Sequence, residues 1–409
     1  MFSATAPGIV CVGFTIGTGA VTKLAAAGAQ SGWEILWVLP LGALLFWALM
    51  EASGRHTVIT GTTLLYGFRT QLWCGKVVAL LILAGVVLGQ WTGLPVLVSH
   101  VSQLAYDGLR VFMPSAPTQN EGAVIGIAVV IVTSIYGLLF TGQLHLLEKM
   151  MTLGVMVMVV GFLGAWCASS PTSASVSPEI QPSHSVAGDT ARLSVPLLGI
   201  AMAAPTLLAR ALWLKGKGWR GKRLKEQSWD AGFASFVLLL VCAAVFACGA
   251  GGLHPRGMTA GTVFDAIHHM ESTGGRAAAA LFLLGTLGAG LTSILPMTMI
   301  VPLMIGDYRE GDLQIRTPHF RYWSALACLA GLAGPIFGEQ LLPLHRAASR
   351  IAQVFVLPLV LGGIFLLLNR TISIGSRCAR FCLNVGLLVA LAISLFLSWL
   401  GLAALGTYF

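Results

Sequence analysis

Stretches of about twenty apolar residues recur along the whole of this 409-residue chain. A helix of that length matches the hydrocarbon thickness of a bilayer. Hydrophobic residues make up 56% of the chain and charged residues only 10%, a composition typical of helical membrane proteins. The polar interruptions reach about twenty-five residues, which is too short for a separate soluble core. The sequence therefore predicts an all-α membrane protein with a single transmembrane domain over residues 1–409.

The apolar stretches predict eleven transmembrane helices, with the chain's first apolar run retained as a span. The predicted spans are 8–30, 33–52, 77–99, 122–142, 147–168, 193–214, 232–253, 278–306, 322–338, 350–368 and 382–405. With a cytoplasmic N-terminus, sixteen Lys and Arg residues fall in cytoplasmic loops and six in outer loops. The positive-inside rule thus supports a multi-pass protein of the inner (plasma) membrane with its C-terminus outside. It also explains the net charge of +9 without a nucleic-acid partner.

Two predicted spans contain residues that interrupt helices. In the first span, Gly17 and Gly19 flank Thr18, and in the sixth span Pro205 removes a backbone hydrogen bond. Backbone groups freed inside a bilayer persist only where protein buries them or a wet cavity hydrates them. We therefore expect both interruptions to lie at a protein-enclosed cavity.

The two interrupted spans are five helices apart, and five is an odd number. Repeats of five spans would therefore be inverted in the membrane, with the first at about residues 8–168 and the second at about 193–368. The helix at 382–405 would be an addition to this five-plus-five arrangement. Interrupted helices at matching positions of inverted repeats indicate the central site of a transporter.

Each interruption is followed by a basic residue. Lys23 lies five residues after Thr18, and Arg210 lies five residues after Pro205. The predicted spans put no carboxylate at comparable depth, so both cations are expected to lack an acidic partner. One interpretation is structural, with side chains that extend to the interface or bond to carbonyls. The other is functional, with cations that replace a coupling ion or attract an anion.

Several segments resemble the natural resistance-associated macrophage protein (Nramp) family of divalent-metal transporters. They are "APGIV" and "GAQSGWEILWVLPLG" around the first two spans, "GRHTVITG" after the second, and "RIAQVFVLPLVLGGIFLLLNR" in the tenth. Eleven spans and a cytoplasmic N-terminus agree with that family. The resemblance implies the LeuT-type fold, alternating access around the two broken helices and, commonly, proton coupling.

The metal-site motifs of that family are missing here. "TIGTG" at 15–19 replaces the family's Asp-Pro-Gly-Asn, and Ala204, Pro205 and Thr206 replace its Met-Pro-His. The family's acidic cluster in span three is replaced around 89–93, which leaves Gln90 as a possible polar relay. Gln353 aligns with a glutamine that faces the family's site.

These positions define the candidate site. The candidate substrate-binding residues are Gly17, Thr18, Gly19, Lys23, Ala203, Ala204, Thr206, Arg210 and Gln353, with helix breaks at Gly17, Gly19 and Pro205. No metal-ligating residue is predicted, because a divalent ion requires carboxylate, imidazole or thioether ligands. Two like charges about 8 Å apart also repel by roughly 2 kcal/mol at an effective dielectric constant of about 20, and a divalent ion doubles this.

Three functions stay open from the sequence. Divalent-cation transport follows from the resemblance, whereas transport of a small anionic or zwitterionic solute, such as an amino-acid derivative, follows from Lys23, Arg210 and the missing carboxylates. The third is a membrane sensor that no longer transports. No nucleophile-base set, phosphate-binding loop or cofactor motif is present, so neither enzymatic activity nor a cofactor is expected. The expected partners are a small solute or ion and the lipid bilayer.

Overall fold

A computed structural model describes residues 6–112, 117, 120–169, 187–311, 313, 315–370 and 377–405. Over these ranges the chain is almost entirely helical and forms no β-strand. The helices are α1 (Ala6–Thr15), α2 (Thr18–Ser31), α3 (Val38–Thr60), α4 (Leu64–Gln71), α5 (Gly75–Phe112), α6 (Glu121–Thr141), α7 (Leu144–Ser169), α8 (Ala187–Ile200), α9 (Ala204–Gly216), α10 (Leu224–Ala247), α11 (Val263–Glu310), α12 (Pro318–Phe337), α13 (Leu341–Ile351), α14 (Leu357–Arg370) and α15 (Arg377–Leu405). The all-helical prediction is confirmed.

The described helices support a multi-pass membrane protein. Eight helical stretches are long and apolar enough to cross a bilayer, and the bent pair of α1 and α2 raises the number to nine. Helices α3 and α12 match the remaining predicted spans in position but do not belong to this set. The total of eleven spans therefore stays a prediction.

The first predicted span is broken between α1 and α2. Helix α1 ends at Thr15, α2 begins at Thr18, and the two helices meet at a bend of 65°. Gly17 is extended and precedes α2, whereas Gly19 lies within the first turn of α2. The break thus occupies Ile16 and Gly17.

The sixth predicted span is also interrupted. Helix α8 ends at Ile200 and α9 begins at Ala204, so residues 201–203 separate them. Pro205 lies in the first turn of α9. A proline is tolerated there because the first amides of a helix have no intrahelical partner, so Pro205 marks the end of the interruption instead of its centre.

Two segments of π-helix were not predicted. Cys248–Leu253 continues α10, and Ala352–Val356 joins α13 to α14. Such insertions widen a helix by one residue and are frequent at functional sites. The first packs closely against α2, and the second lies beside α5 and α15.

Helix α1 lies inside the bundle, where it packs against α7, α9, α10 and α11. Its residues Ile9, Val10, Cys11 and Val12 are all buried. The largest contact between helices joins α7 to α11, where a Cβ atom on Gly161 would lie 2.6 Å from the backbone nitrogen of Gly285. Small residues allow this close backbone approach, which is typical of helix packing in membranes.

Candidate substrate cavity

A cavity of about 500 Å³ lies beside the interruption between α8 and α9. Its polar and charged lining residues are Lys23 of α2, Gln90 of α5, His345, Ser349 and Arg350 of α13, and Gln353 of the second π-helical segment. Residues 203–205 at the start of α9 also line it. A cavity of this volume is within the range of small-molecule sites in proteins.

The cavity brings together six of the sequence-predicted positions and leaves out the others. The lining includes Lys23, Gln90, Ala203, Ala204, Pro205 and Gln353. Pro205 was predicted as a helix break, and the other five were predicted as binding or relay residues. The lining does not include the predicted residues Gly17, Thr18, Gly19, Thr206 and Arg210. The interruption in the first span therefore lies outside the cavity, although Lys23 on the same helix reaches it.

One face of α13 supplies three lining residues that were not predicted. His345 and Ser349 are four residues apart, so they lie on the same side of the helix, and the Ser349 hydroxyl is 3.3 Å from His345 Nδ1. His345 is close enough to Lys23 and His100 to interact with both electrostatically. The predicted tenth span began at residue 350, so His345 and Ser349 fell outside it and Arg350 at its first position. The amphipathic pattern of α13 before that position was the available clue.

The lining is positively charged. Lys23 and Arg350 contribute cationic groups, and among the described residues no Asp or Glu lines the cavity. Lys23 also makes no ion pair or hydrogen bond within the described ranges. The side-chain oxygen of Gln90 is buried and has no hydrogen-bond partner there either. The cavity thus presents a lysine ammonium with which a ligand can pair, and a buried amide oxygen without a partner lies beside it.

Thr206 connects the two interruptions instead of facing the cavity. The Thr15 hydroxyl donates to the Cys11 carbonyl at 2.8 Å and to Thr206 Oγ1 at 3.3 Å. Thr206 is only 2% exposed. This contact joins the end of α1 to the first turn of α9, so it links the two broken spans next to their interruptions.

The expectation that Arg210 lacks an acidic partner is wrong. Arg210 is fully buried and its guanidinium forms an ion pair with the equally buried Asp230. Helix α10 begins at Leu224, whereas the predicted span began at residue 232, so Asp230 was assigned to a loop. Asp230 Oδ1 also accepts a hydrogen bond from the Gly8 backbone N–H at 3.0 Å, near the start of α1.

A second ion pair lies next to this one. Arg55 Nε is 2.5 Å from Glu51 Oε1, and Glu51 also accepts hydrogen bonds from Gln227 Nε2 at 3.1 Å and from the Ser228 hydroxyl at 2.6 Å. Glu51 was expected near the end of its span, but α3 continues to Thr60. Gln227 connects the two pairs, since its carbonyl accepts from the Arg210 guanidinium at 3.5 Å. We call Arg210, Asp230, Glu51 and Arg55 the ion-pair cluster.

Few groups in the cavity could ligate a metal ion. Within the described ranges, no three His, Cys, Asp or Glu residues are grouped closely enough to hold one. The lining offers one imidazole, His345, and the thioethers of Met202 and Met297. Divalent ions such as Mn²⁺ and Mg²⁺ prefer oxygen ligands with at least one carboxylate. The donor set is therefore poor for a dehydrated divalent ion.

Curated relatives match most of the chain. "Divalent metal cation transporter MntH" of Mycobacterium tuberculosis is 23% identical over 304 residues, which cover 70% of this chain and 66% of that protein. A protein of the same name from Mycobacterium bovis matches at the same identity but over 41% of its length. The chain thus spans slightly under two thirds of the first relative and less than half of the second.

Solved structures show the same fold. The Eremococcus coleocola manganese transporter, in complex with an aromatic bis-isothiourea substituted compound, has a TM-score of 0.71 at 14% identity, with 99% of this chain and 87% of that chain covered. MhsT in complex with L-phenylalanine has a TM-score of 0.65 at 14% identity, with 96% and 98% covered. Both similarities support the predicted LeuT-type fold.

A family model described as natural resistance-associated macrophage protein-like matches residues 8–404, which is nearly the whole chain. The match includes both broken spans and the entire cavity lining. This chain is therefore a member of the natural resistance-associated macrophage protein-like family with a LeuT-type fold.

Proposed function

We propose that this protein is a secondary transporter that moves its substrate by alternating access. The observation that carries the proposal is a cavity of about 500 Å³ beside one broken span, in a bundle whose other broken span is held by a hydrogen bond to the ion-pair cluster. Divalent metal cations are the cargo class given by the names of the relatives, and proton coupling is the expected energy source. The inverted repeats at about 8–168 and 193–368 would supply the symmetry that alternating access needs.

The contacts of α1 suggest which side is closed. Helix α1 is held by the Gly8 hydrogen bond to Asp230 and by the contact between Thr15 and Thr206. Opening at this end requires α1 to swing about Ile16 and Gly17 and to lose both contacts. The pair of Arg210 and Asp230 joins α9 to α10 and can persist through that movement. We propose that the N-terminus is cytoplasmic, so that the closed side is cytoplasmic and the cavity opens outward.

Uptake into proteoliposomes tests the transport function. We expect time-dependent accumulation of Mn²⁺ or Mg²⁺ that a proton gradient stimulates. Gln353→Ala removes an amide from the cavity lining and should lower uptake about tenfold, in line with the loss of a charge-assisted hydrogen bond. Gln143→Ala is the matched control, because Gln143 is exposed between α6 and α7.

Two results would contradict the proposal. A sensor would bind its ligand but give no uptake of metal or of any small carboxylate beyond that of protein-free liposomes. Uptake that is equally reduced by Gln353→Ala and by Gln143→Ala would show that the cavity is not on the transport path.

A further inference from the structure

We infer that the cavity binds the carboxylate group of a small organic acid through Lys23. This inference rests on the proposed transport function and names the chemical class of the substrate. The carboxylate belongs either to a free organic anion or to an organic acid that already coordinates a divalent ion. In both cases the group that contacts the protein is the same.

The charge of the cavity lining is the first observation that favours an anionic ligand. Lys23 and Arg350 both face the cavity, and no acidic side chain of the described residues lines it. In a space with low-dielectric walls, such charges attract an anion and repel a bare cation. A lysine that lines a cavity and makes no ion pair in the described ranges is most simply neutralised by a bound anion.

The start of α9 adds to this field. Residues 203–205 line the cavity, so the N-terminal end of a 13-residue helix is directed toward it. The partial positive charge at a helix N-terminus favours anions. Lys23 comes from α2 and the helix terminus from α9, so the broken spans of both predicted repeats contribute positive charge to one cavity.

The remaining lining indicates the rest of the ligand. Gln90 lines the cavity, and its amide oxygen can accept a hydrogen bond from a hydroxyl or ammonium group once the side chain turns toward the ligand. The apolar part of the cavity lining includes Val86, Val356, Leu357 and Leu397. A volume of about 500 Å³ accommodates a small organic acid with one hydrogen-bond donor.

This inference accounts for membership in a metal-transporter family without metal ligands in the protein. An organic acid that coordinates Mn²⁺ brings its own carboxylate ligands, so the cavity needs to recognise only the anionic surface of the complex. A free organic anion requires no metal at all. The two sources differ in whether Mn²⁺ is needed for binding.

Equilibrium binding to the full-length protein in lipid nanodiscs tests the inference. The probes are radiolabelled citrate, succinate and alanine, each with and without Mn²⁺, and Mn²⁺ alone. We expect at least one carboxylate probe to bind, and Lys23→Gln to weaken that binding at least about tenfold. Lys23→Arg should restore most of the affinity because it retains the charge. Lys76→Gln is the control, since Lys76 is exposed at the start of α5.

Carboxylate binding that requires Mn²⁺ supports the complex as the ligand, and binding without Mn²⁺ supports the free anion. The inference is overturned if no carboxylate probe binds to protein that keeps its thermal transition, or if Lys23→Gln binds as tightly as Lys76→Gln. Mn²⁺ that binds alone, and whose binding neither a carboxylate probe nor Lys23→Gln changes, also overturns it. If a carboxylate binds but never accumulates in proteoliposomes, the transport proposal fails while this inference stands.

Discussion

Asp230→Ala should destabilise the protein by about 3–5 kcal/mol, because it leaves the fully buried Arg210 guanidinium without its acidic partner. The substitution also removes the acceptor for the Gly8 backbone N–H, so α1 loses its anchor. Thermal unfolding in detergent micelles, followed by tryptophan fluorescence, measures the effect. Glu226→Ala is the matched control on the same helix, since its ion pair with Arg223 is half exposed and worth at most about 1 kcal/mol.

The double substitution Arg210→Met with Asp230→Leu shows how much of the stability loss in Asp230→Ala comes from the unpaired charge and how much from lost packing. Replacement of a whole buried ion pair by apolar residues is often neutral or stabilising, so the double variant should recover most of the stability lost in Asp230→Ala. An Asp230→Ala variant that unfolds at the same temperature as Glu226→Ala would contradict the assigned pairing. A double variant that is less stable than Asp230→Ala would show that packing at this position matters more than charge.

Gly249→Ala should be the most damaging single-methyl addition tested. A Cβ atom at Gly249 would lie 2.2 Å from the Ala25 carbonyl oxygen, and one at Gly28 would lie 2.3 Å from the Phe246 carbonyl oxygen. These contacts are with backbone, so relief requires α2 to separate from the first π-helical segment. We expect a loss of about 3 kcal/mol or more in stability, the upper end of the range for overpacked cores.

Gly232→Ala provides the control for this substitution. It lies on α10, and a Cβ atom there would meet nothing within 4 Å. Because alanine favours helices over glycine, that variant should be as stable as the parent or slightly more stable. Equal melting temperatures for Gly249→Ala and Gly232→Ala would contradict the close approach of α2 to the π-helical segment. Since Lys23 is also on α2, Gly249→Ala should weaken ligand binding as well.

The membrane fold follows from the sequence because span length is set by bilayer thickness and is visible in every apolar run. The helix interruptions were predicted from Gly17, a poor helix former, and from Pro205, which cannot donate a backbone hydrogen bond. Pairing between helices does not follow in the same way. Asp230 and Glu51 lie inside helices that extend beyond their apolar stretches, so hydropathy alone assigned one to a loop and the other to a span end.

The candidate site was predicted in part for a similar reason. Lys23 and Gln353 line the cavity, whereas Arg210 points to Asp230. Residues five positions after each interruption were treated as equivalent, but which face of α2 or α9 meets the cavity depends on packing against other helices. His345 and Ser349 were missed because α13 precedes the predicted start of its span. Their spacing on one helix face would have identified them.

Sided labelling of a cysteine introduced at position 203 tests alternating access most directly. Ala203→Cys places a thiol in the cavity lining at the start of α9, in a background with Cys74, Cys167, Cys378 and Cys382 replaced by serine. A membrane-impermeant maleimide is applied to sealed vesicles of each orientation. Gly8→Ala is then added, because a Cβ atom there would lie 2.7 Å from the Ala234 side chain and 2.8 Å from the Asp230 carbonyl, which forces α1 outward.

When Gly8 is present, the thiol at position 203 should react only with maleimide applied to the outer face, where the cavity is proposed to open. With Gly8→Ala, the labelling rate from the cytoplasmic face should rise and the labelling rate from the outer face should fall. Labelling from one side that is unchanged by Gly8→Ala, or labelling from both sides at once in the parent, would contradict a transporter that exposes this cavity to one side at a time.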